Sequence, residues 1–236
     1  MLVPITREKF EQIIPFIATG PQYAYYWGKL ADFLKRVLIS MLGIFCVWIL
    51  GGLLGEGFYG LRLLLGMITG LYWLWGPVYW ATRRNLEVRR YKYSGFLRGR
   101  VVDVYVTEEL IGKQETVNKR GELVIVENRE RRLNLEVEDE TGFATSLQVP
   151  LRRLHKGISR KQVVEMLVMS YQPDLESIAK TSDIYIPSLD LWVSDYPFLQ
   201  RDVFLQVSSQ LSKSGNAANS RNRSVNNKRR RPYSDY

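Results

Sequence analysis

Two uninterrupted apolar runs occupy the first third of the chain. Val37 to Leu54 reads VLISMLGIFCVWILGGLL and Leu63 to Thr82 reads LLLGMITGLYWLWGPVYWAT, eighteen and twenty residues without a charged side chain. At about 1.5 Å per residue, helices of these lengths reach roughly 27 and 30 Å, enough to cross a hydrocarbon core. The first run starts far into the chain, a second follows at once, and no Ala-x-Ala site comes after it. The pattern therefore predicts an uncleaved transmembrane helical hairpin over 37–82.

Beyond Gly95 the pattern changes to alternation. Val102, Val104 and Val106 alternate with Asp103 and Tyr105, and Leu133, Leu135 and Val137 with Asn134, Glu136 and Glu138. Period two marks strands with one buried face. Leu123 to Val126 is a short apolar run that reads as a strand buried on both sides. Asn118 to Gly121 and Glu138 to Gly142 are turn candidates, and Phe143 to Val149 is a further strand. Such short strands predict a small antiparallel β-barrel, SH3-like or OB-like, followed by C-terminal helices. Ser159 to Gln162 matches a capping box, with Val163, Val164, Leu167, Val168 and Tyr171 on one helical face and Pro173 at its end. Ile184–Ile186 and Leu189–Val193 read as extended pieces. Pro197 suits the start of a last helix, with Leu199, Val203, Val207 and Leu211 on one stripe.

The fold class expected is thus a membrane α-helical hairpin plus an α+β cytoplasmic domain. Residues 1–36 form an N-terminal amphipathic, juxtamembrane segment, and 37–82 the two-helix hairpin. A basic juxtamembrane linker covers 83–94, the cytoplasmic β-rich domain with helices covers 95–211, and a disordered basic tail covers 212–236. In the first segment Phe10, Ile13, Ile14 and Ile17 suit a short helix broken at Pro15, lying on the membrane surface or folded onto the barrel.

Charge sets the orientation. Lys35 and Arg36 precede the first span, and Arg83, Arg84, Arg89, Arg90 and Lys92 follow the second, while the connecting loop holds one Glu and one Arg. The positive-inside rule puts both termini on the cytoplasmic side. The same seven cations are candidates for headgroup binding. Although the formal net charge is +9, residues 101–211 hold 13 Lys/Arg against 18 Asp/Glu. An acidic folded module argues against nucleic acid as a partner. The tail is rich in Ser, Asn and Arg and ends in the cluster Lys228, Arg229, Arg230, Arg231. That cluster suits lipid, RNA, the acidic domain or an acidic partner, or is a solubilising end.

Glycines supply the candidate helix contacts. Gly51 and Gly55 are four apart, as are Gly66 and Gly70. Small residues at that spacing let helices approach closely in lipid, either within the hairpin or with a second membrane protein or copy.

Candidate chemistry is sparse. One Cys and one His exclude a disulfide framework, a Cys-rich zinc site and an H-E-x-x-H site. Gly55-Glu56-Gly57-Phe58-Tyr59-Gly60 matches G-x-G-x-x-G but joins two spans, where no βαβ unit surrounds it. His155 lies among Arg152, Arg153 and Lys156, which suits neither a base nor a metal ligand. No catalytic set, cofactor or metal is expected.

Gly20-Pro21-Gln22-Tyr23-Ala24-Tyr25-Tyr26-Trp27-Gly28-Lys29, the hairpin, and Leu97-Arg98-Gly99-Arg100-Val101-Val102-Asp103-Val104 together carry a resemblance. Over residues 1–211 the chain resembles a conserved family of cyanobacterial membrane proteins often labelled automatically as phosphate ABC transporter permeases. A permease of that class resembles a bundle of five or six spans, against two here. The resemblance implies a thylakoid or plasma membrane and brings no functional residues. The expected function is a non-enzymatic integral membrane protein, an assembly factor or accessory subunit of a larger membrane complex, a photosynthetic one where the resemblance applies. The alternative is a component of an oligomeric transporter or permease.

Overall fold

A computed structural model describes residues 1–54, 56–117, 121 and 123–213. The turn expected at 118–121 falls largely outside these residues, as do Gly55, most of the tail and its cluster Lys228, Arg229, Arg230 and Arg231.

The sheet is built on one strand. β1 (Leu2–Pro4) and β2 (Tyr93–Val117) open an antiparallel sheet continued by β3 (Leu123–Glu138), β4 (Ala144–Pro150), β5 (Val163–Ser170), β6 (Lys180–Ile186) and β7 (Leu191–Val193). The order is β4-β3-β2-β5-β6-β7, with β1 also on β2. β5 pairs along Tyr93–Arg100 of β2, and β3 along Arg100–Val117. The two halves of the sheet are therefore staggered along β2, and the outer strands β4 and β7 do not pair. The expected closed barrel is corrected to an open sheet.

Two cores lie on its two faces. Leu97, Val101, Leu133, Leu135, Val137, Val164, Met166 and Ile184 fill one. Phe96, Leu167 and Met169 point the other way, against Phe10, Ile13 and Ile14 of the N-terminal segment and Phe204 and Val207 of the last helix. α1 (Arg7–Ile13) is thus folded onto the sheet, and it ends before Pro15.

Alternation at Leu133, Leu135 and Val137 is buried as the sequence reads. In β2 a bulge between Val101 and Asp103 shifts the pattern: Val101 joins the core and Val102 is exposed.

Two other readings are corrected. Residues 163–170 form the central strand β5 instead of a helix. The Ser159 amide does bond Gln162 Oε1 at 3.0 Å, but Lys161 takes φ 71° and turns the chain into the sheet. The continuous run Val163–Met169 fits a strand buried on both faces as well as it fits a helix. Leu123–Val126 is exposed, not buried. Past Arg131, β3 pairs only with β2 among the described residues, so the two strands project as a ribbon. Leu123 and Ile125 near its tip are 76% and 61% exposed. Within the basic stretch 83–94, helix continues to Arg89 and β2 starts at Tyr93.

The last helix covers 201–213. Leu199 is buried just ahead of it, with Phe204 and Val207 buried within it. Its Ser208 hydroxyl donates to buried Glu165 at 2.6 Å, and Glu165 lies 3.6 Å from Arg98.

Candidate functional site

The helical arm leaves the sheet through α2 (Gly20–Trp27), followed by α3 (Leu30–Leu54), α4 (Tyr59–Gly70) and α5 (Tyr72–Arg89). Thr19 and Gln22 form a capping box at the start of α2. By length and composition α3 could cross a membrane over Leu30–Gly52, and its most apolar stretch is 11% buried. The return is not one helix. α4 and α5 meet at Leu71 with a bend of 71°. Groups freed by the break find partners: the Trp73 amide donates to Ser40 Oγ at 3.1 Å and the Trp75 indole to the Ile68 carbonyl at 2.8 Å.

α3 and α4 pack closely at small residues. A Cβ placed on Gly43 would lie 2.8 Å from Thr69 Cβ, one on Gly70 3.2 Å from Ile44, and one on Gly51 2.5 Å from the Arg62 side chain. Gly51 and Gly70 therefore face the hairpin interior. Gly66 has open space, Gly55 lies outside the described residues, and Gly43 is a contact the spacing did not single out.

α5 divides its faces. Pro77, Ala81, Asn85 and Val88 are buried, while Tyr79, Trp80, Arg83 and Leu86 are exposed. The buried face is clasped by Gln22, whose amide exchanges hydrogen bonds with Asn85 and also donates to the Pro197 carbonyl.

The seven basic candidates separate in the structure. Lys35, Arg83, Arg90 and Lys92 are exposed. Arg36 is buried and donates to the Tyr26 and Trp27 carbonyls, both at 2.6 Å. Arg89 donates to the Glu11 and Ile14 carbonyls and pairs with the Glu11 carboxylate at 2.7 Å. Arg36 and Arg89 thus hold the fold together.

Arg84 has a third environment. It enters a cleft of about 290 Å³ between α5, β6 and residues 194–198. Its guanidinium carbon stands 4.2 Å from the Tyr196 ring centroid and 5.4 Å from that of Phe198. Lys180 Nζ approaches Phe198 at 4.6 Å. Asp195 is 3.9 Å from Arg84, the outer limit of an ion pair. Burial and the neighbouring Arg84 charge push the Lys180 pKa down, with Glu87 opposing.

Below these cations lies Asp183, fully buried on β6. One carboxylate oxygen accepts the Phe198 amide at 2.8 Å. The other oxygen, like the hydroxyl of buried Tyr196, has no hydrogen-bond partner among the described residues. Burial pushes Asp183 up to about 7, despite amide hydrogen bonds that pull the other way. Lys180, Asp183 and Tyr196 belong to no sequence motif. An Asp beside the apolar run Ile184-Tyr185-Ile186 was the one available signal for a buried acid.

His155 is buried, its ring Nδ1 accepting the Arg152 amide at 3.2 Å. Among the described residues no group of three or more His, Cys, Asp or Glu side chains is placed to hold a metal ion.

With this architecture the chain belongs to a family of unknown function, DUF8619, whose model matches residues 3–221. No curated protein and no solved structure matches it.

Proposed function

We propose that this chain is a non-enzymatic integral membrane protein acting as an assembly factor or accessory subunit of a larger membrane complex. The observation that carries the reading is the exposed apolar surface of the arm. Leu30, Leu34, Leu38, Met41, Leu42, Phe45 and Trp48 on α3, with Leu63, Leu64 and Met67 on α4, face outward. Contiguous apolar surface of that extent is not left to water in a soluble protein.

In this reading α3 crosses or deeply enters the bilayer and α4 returns. At about 1.5 Å per residue, α4 runs roughly 18 Å. The bend then lays α5 toward the headgroup level, with Trp75, Tyr79 and Trp80 on its exposed face, where amphipathic rings are favoured. Both ends of the arm return to one side, the cytoplasmic one by the positive-inside rule, and the sheet sits there. The projecting ribbon supports the partner half of the proposal. Among the described residues it has two unpaired edges and an apolar tip, features that recruit another chain.

Two measurements test the reading. The full chain is expected to float with membranes after carbonate extraction, and Cys46 on α3 to resist a water-soluble maleimide until detergent is added. Release into the supernatant, or immediate labelling, would overturn membrane insertion. In mild detergent the chain is expected to migrate in fixed stoichiometry with a larger complex. Migration as the chain alone would remove the accessory-subunit reading.

A further inference from the structure

We infer that the cleft at the foot of the arm, lined by Arg84, Lys180, Asp183 and Tyr196, binds the oxyanion of an anionic lipid headgroup. The inference rests on the membrane reading above and adds a specific site to it.

Two cations share one aromatic floor there. Arg84 and Lys180 both approach the Phe198 ring, and each is half-buried. Like charges held together out of bulk water repel; burial first and the Arg84 charge second push the Lys180 pKa down. Asp195 compensates weakly at 3.9 Å, and Glu87 already pairs with Arg83 at 3.6 Å. Lys180 makes no ion pair among the described residues. An incoming anion supplies the missing counter-charge, and a guanidinium is well suited to an oxyanion.

The cleft also offers donors in need of an acceptor. The Tyr196 hydroxyl and the second Asp183 oxygen are buried without hydrogen-bond partners among the described residues. Leaving such groups unsatisfied costs about 1–3 kcal/mol each, so a buried pair of this kind calls for an occupant. Burial keeps Asp183 protonated up to near neutral pH, so its carboxyl donates instead of repelling.

Size and position select a headgroup. At about 290 Å³ the cleft lies at the lower edge of ligand pockets, roughly 300–1,000 Å³, which suits a headgroup with its chains left outside. Arg84 is one helical turn beyond Trp80, an exposed aromatic on the same helix. In the membrane reading this is the interfacial level.

The test uses the full chain purified in mild detergent and mixed with phosphatidylglycerol or phosphatidylcholine, with bound lipid counted by native mass spectrometry. One phosphatidylglycerol is expected to stay bound where phosphatidylcholine is lost. Lys180→Gln and Arg84→Gln should each weaken that retention at least tenfold. Arg153→Gln and Lys156→Gln, at exposed positions away from the cleft, should leave it unchanged. Thermal melting of Lys180→Gln checks that the fold survives. Equal retention by wild type and Lys180→Gln, or no retention by the wild type, overturns the site. Complete displacement of the lipid by millimolar inorganic phosphate overturns the lipid as its source. Carbonate extraction of the wild type, scored separately, tells a failed membrane reading from a failed cleft.

Discussion

Gln22 and Asn85 exchange two side-chain hydrogen bonds, at 3.0 and 2.9 Å, inside the buried contact between α2 and α5. Gln22 Oε1 also accepts the Thr19 amide and its Nε2 donates to the Pro197 carbonyl, so one amide ties three segments together. Removing one partner leaves the other buried and unsatisfied, at about 1–3 kcal/mol. Asn85→Leu and Gln22→Leu should each lower the unfolding free energy by that amount, read from the shift of the urea midpoint. The double variant should lose less than the sum of the two, and strict additivity would show that the pair is not coupled.

The arm should respond unequally at its glycines. Gly43 faces the Thr69 Cβ, which cannot swing aside, whereas Gly66 faces open space. Gly43→Val is expected to destabilise the hairpin by about 1–3 kcal/mol through overpacking. Gly66→Ala should be neutral or gain up to about 1 kcal/mol from helix propensity. Thermal melts of the detergent-solubilised chain read both, and equal effects would contradict the packing.

Asp183 gives a pH dependence of defined sign. Its folded pKa is raised from 3.8 to about 7, so the folded state keeps a proton that the unfolded chain releases. Stability should therefore fall as pH rises from 3.8 toward about 7 and level off above it. At about 1.4 kcal/mol per pKa unit, the loss is of the order of a few kcal/mol. His155, lowered by burial and Arg152, contributes the opposite slope through its ordinary range. Comparing wild type with Asp183→Asn cancels that contribution. The variant retains an acceptor for the Phe198 amide and should be the more stable of the two at about pH 8, with the gap closing at about pH 5. A pH-independent gap would refute the assignment.

The ribbon tip should be dispensable for folding. Leu123 and Ile125 bury little, and substitutions at exposed positions usually change stability by less than about 0.5 kcal/mol. The double change Leu123→Lys with Ile125→Lys should leave the melting temperature unchanged while weakening association with the larger complex. Leu135→Ala, in the core on the same strand, should cost about 2–5 kcal/mol. A large loss from the tip variant would place the tip against the body of the protein.

Local pattern carried part of the fold. The charge-free run ahead of Leu54 forms a long apolar helix because its preference does not depend on distant residues. The alternation at Leu133, Leu135 and Val137 is a buried strand face, and the stripe at Val203 and Val207 lies within the last helix. Where a pattern serves two structures, sequence alone misread it. Val163–Met169 satisfies helical spacing and a doubly buried strand equally, and neighbours on both sides of β5 decide for the strand. Apolarity at Leu123–Val126 does not say whether anything covers it, and past Arg131 β3 pairs only with β2 among the described residues.

The sequence by itself determined where the apolar runs lie, where alternation takes over and where positive charge gathers, because these are properties of neighbouring residues. The bend at Leu71, the stagger that keeps the sheet open and the sorting of seven cations into exposed, structural and cleft-lining groups were decided by tertiary structure. Arg84, Lys180, Asp183 and Tyr196 meet in one cleft because α5, β6 and the segment after β7 converge there. Contacts between residues about a hundred positions apart depend on how whole elements pack, and no local periodicity encodes them.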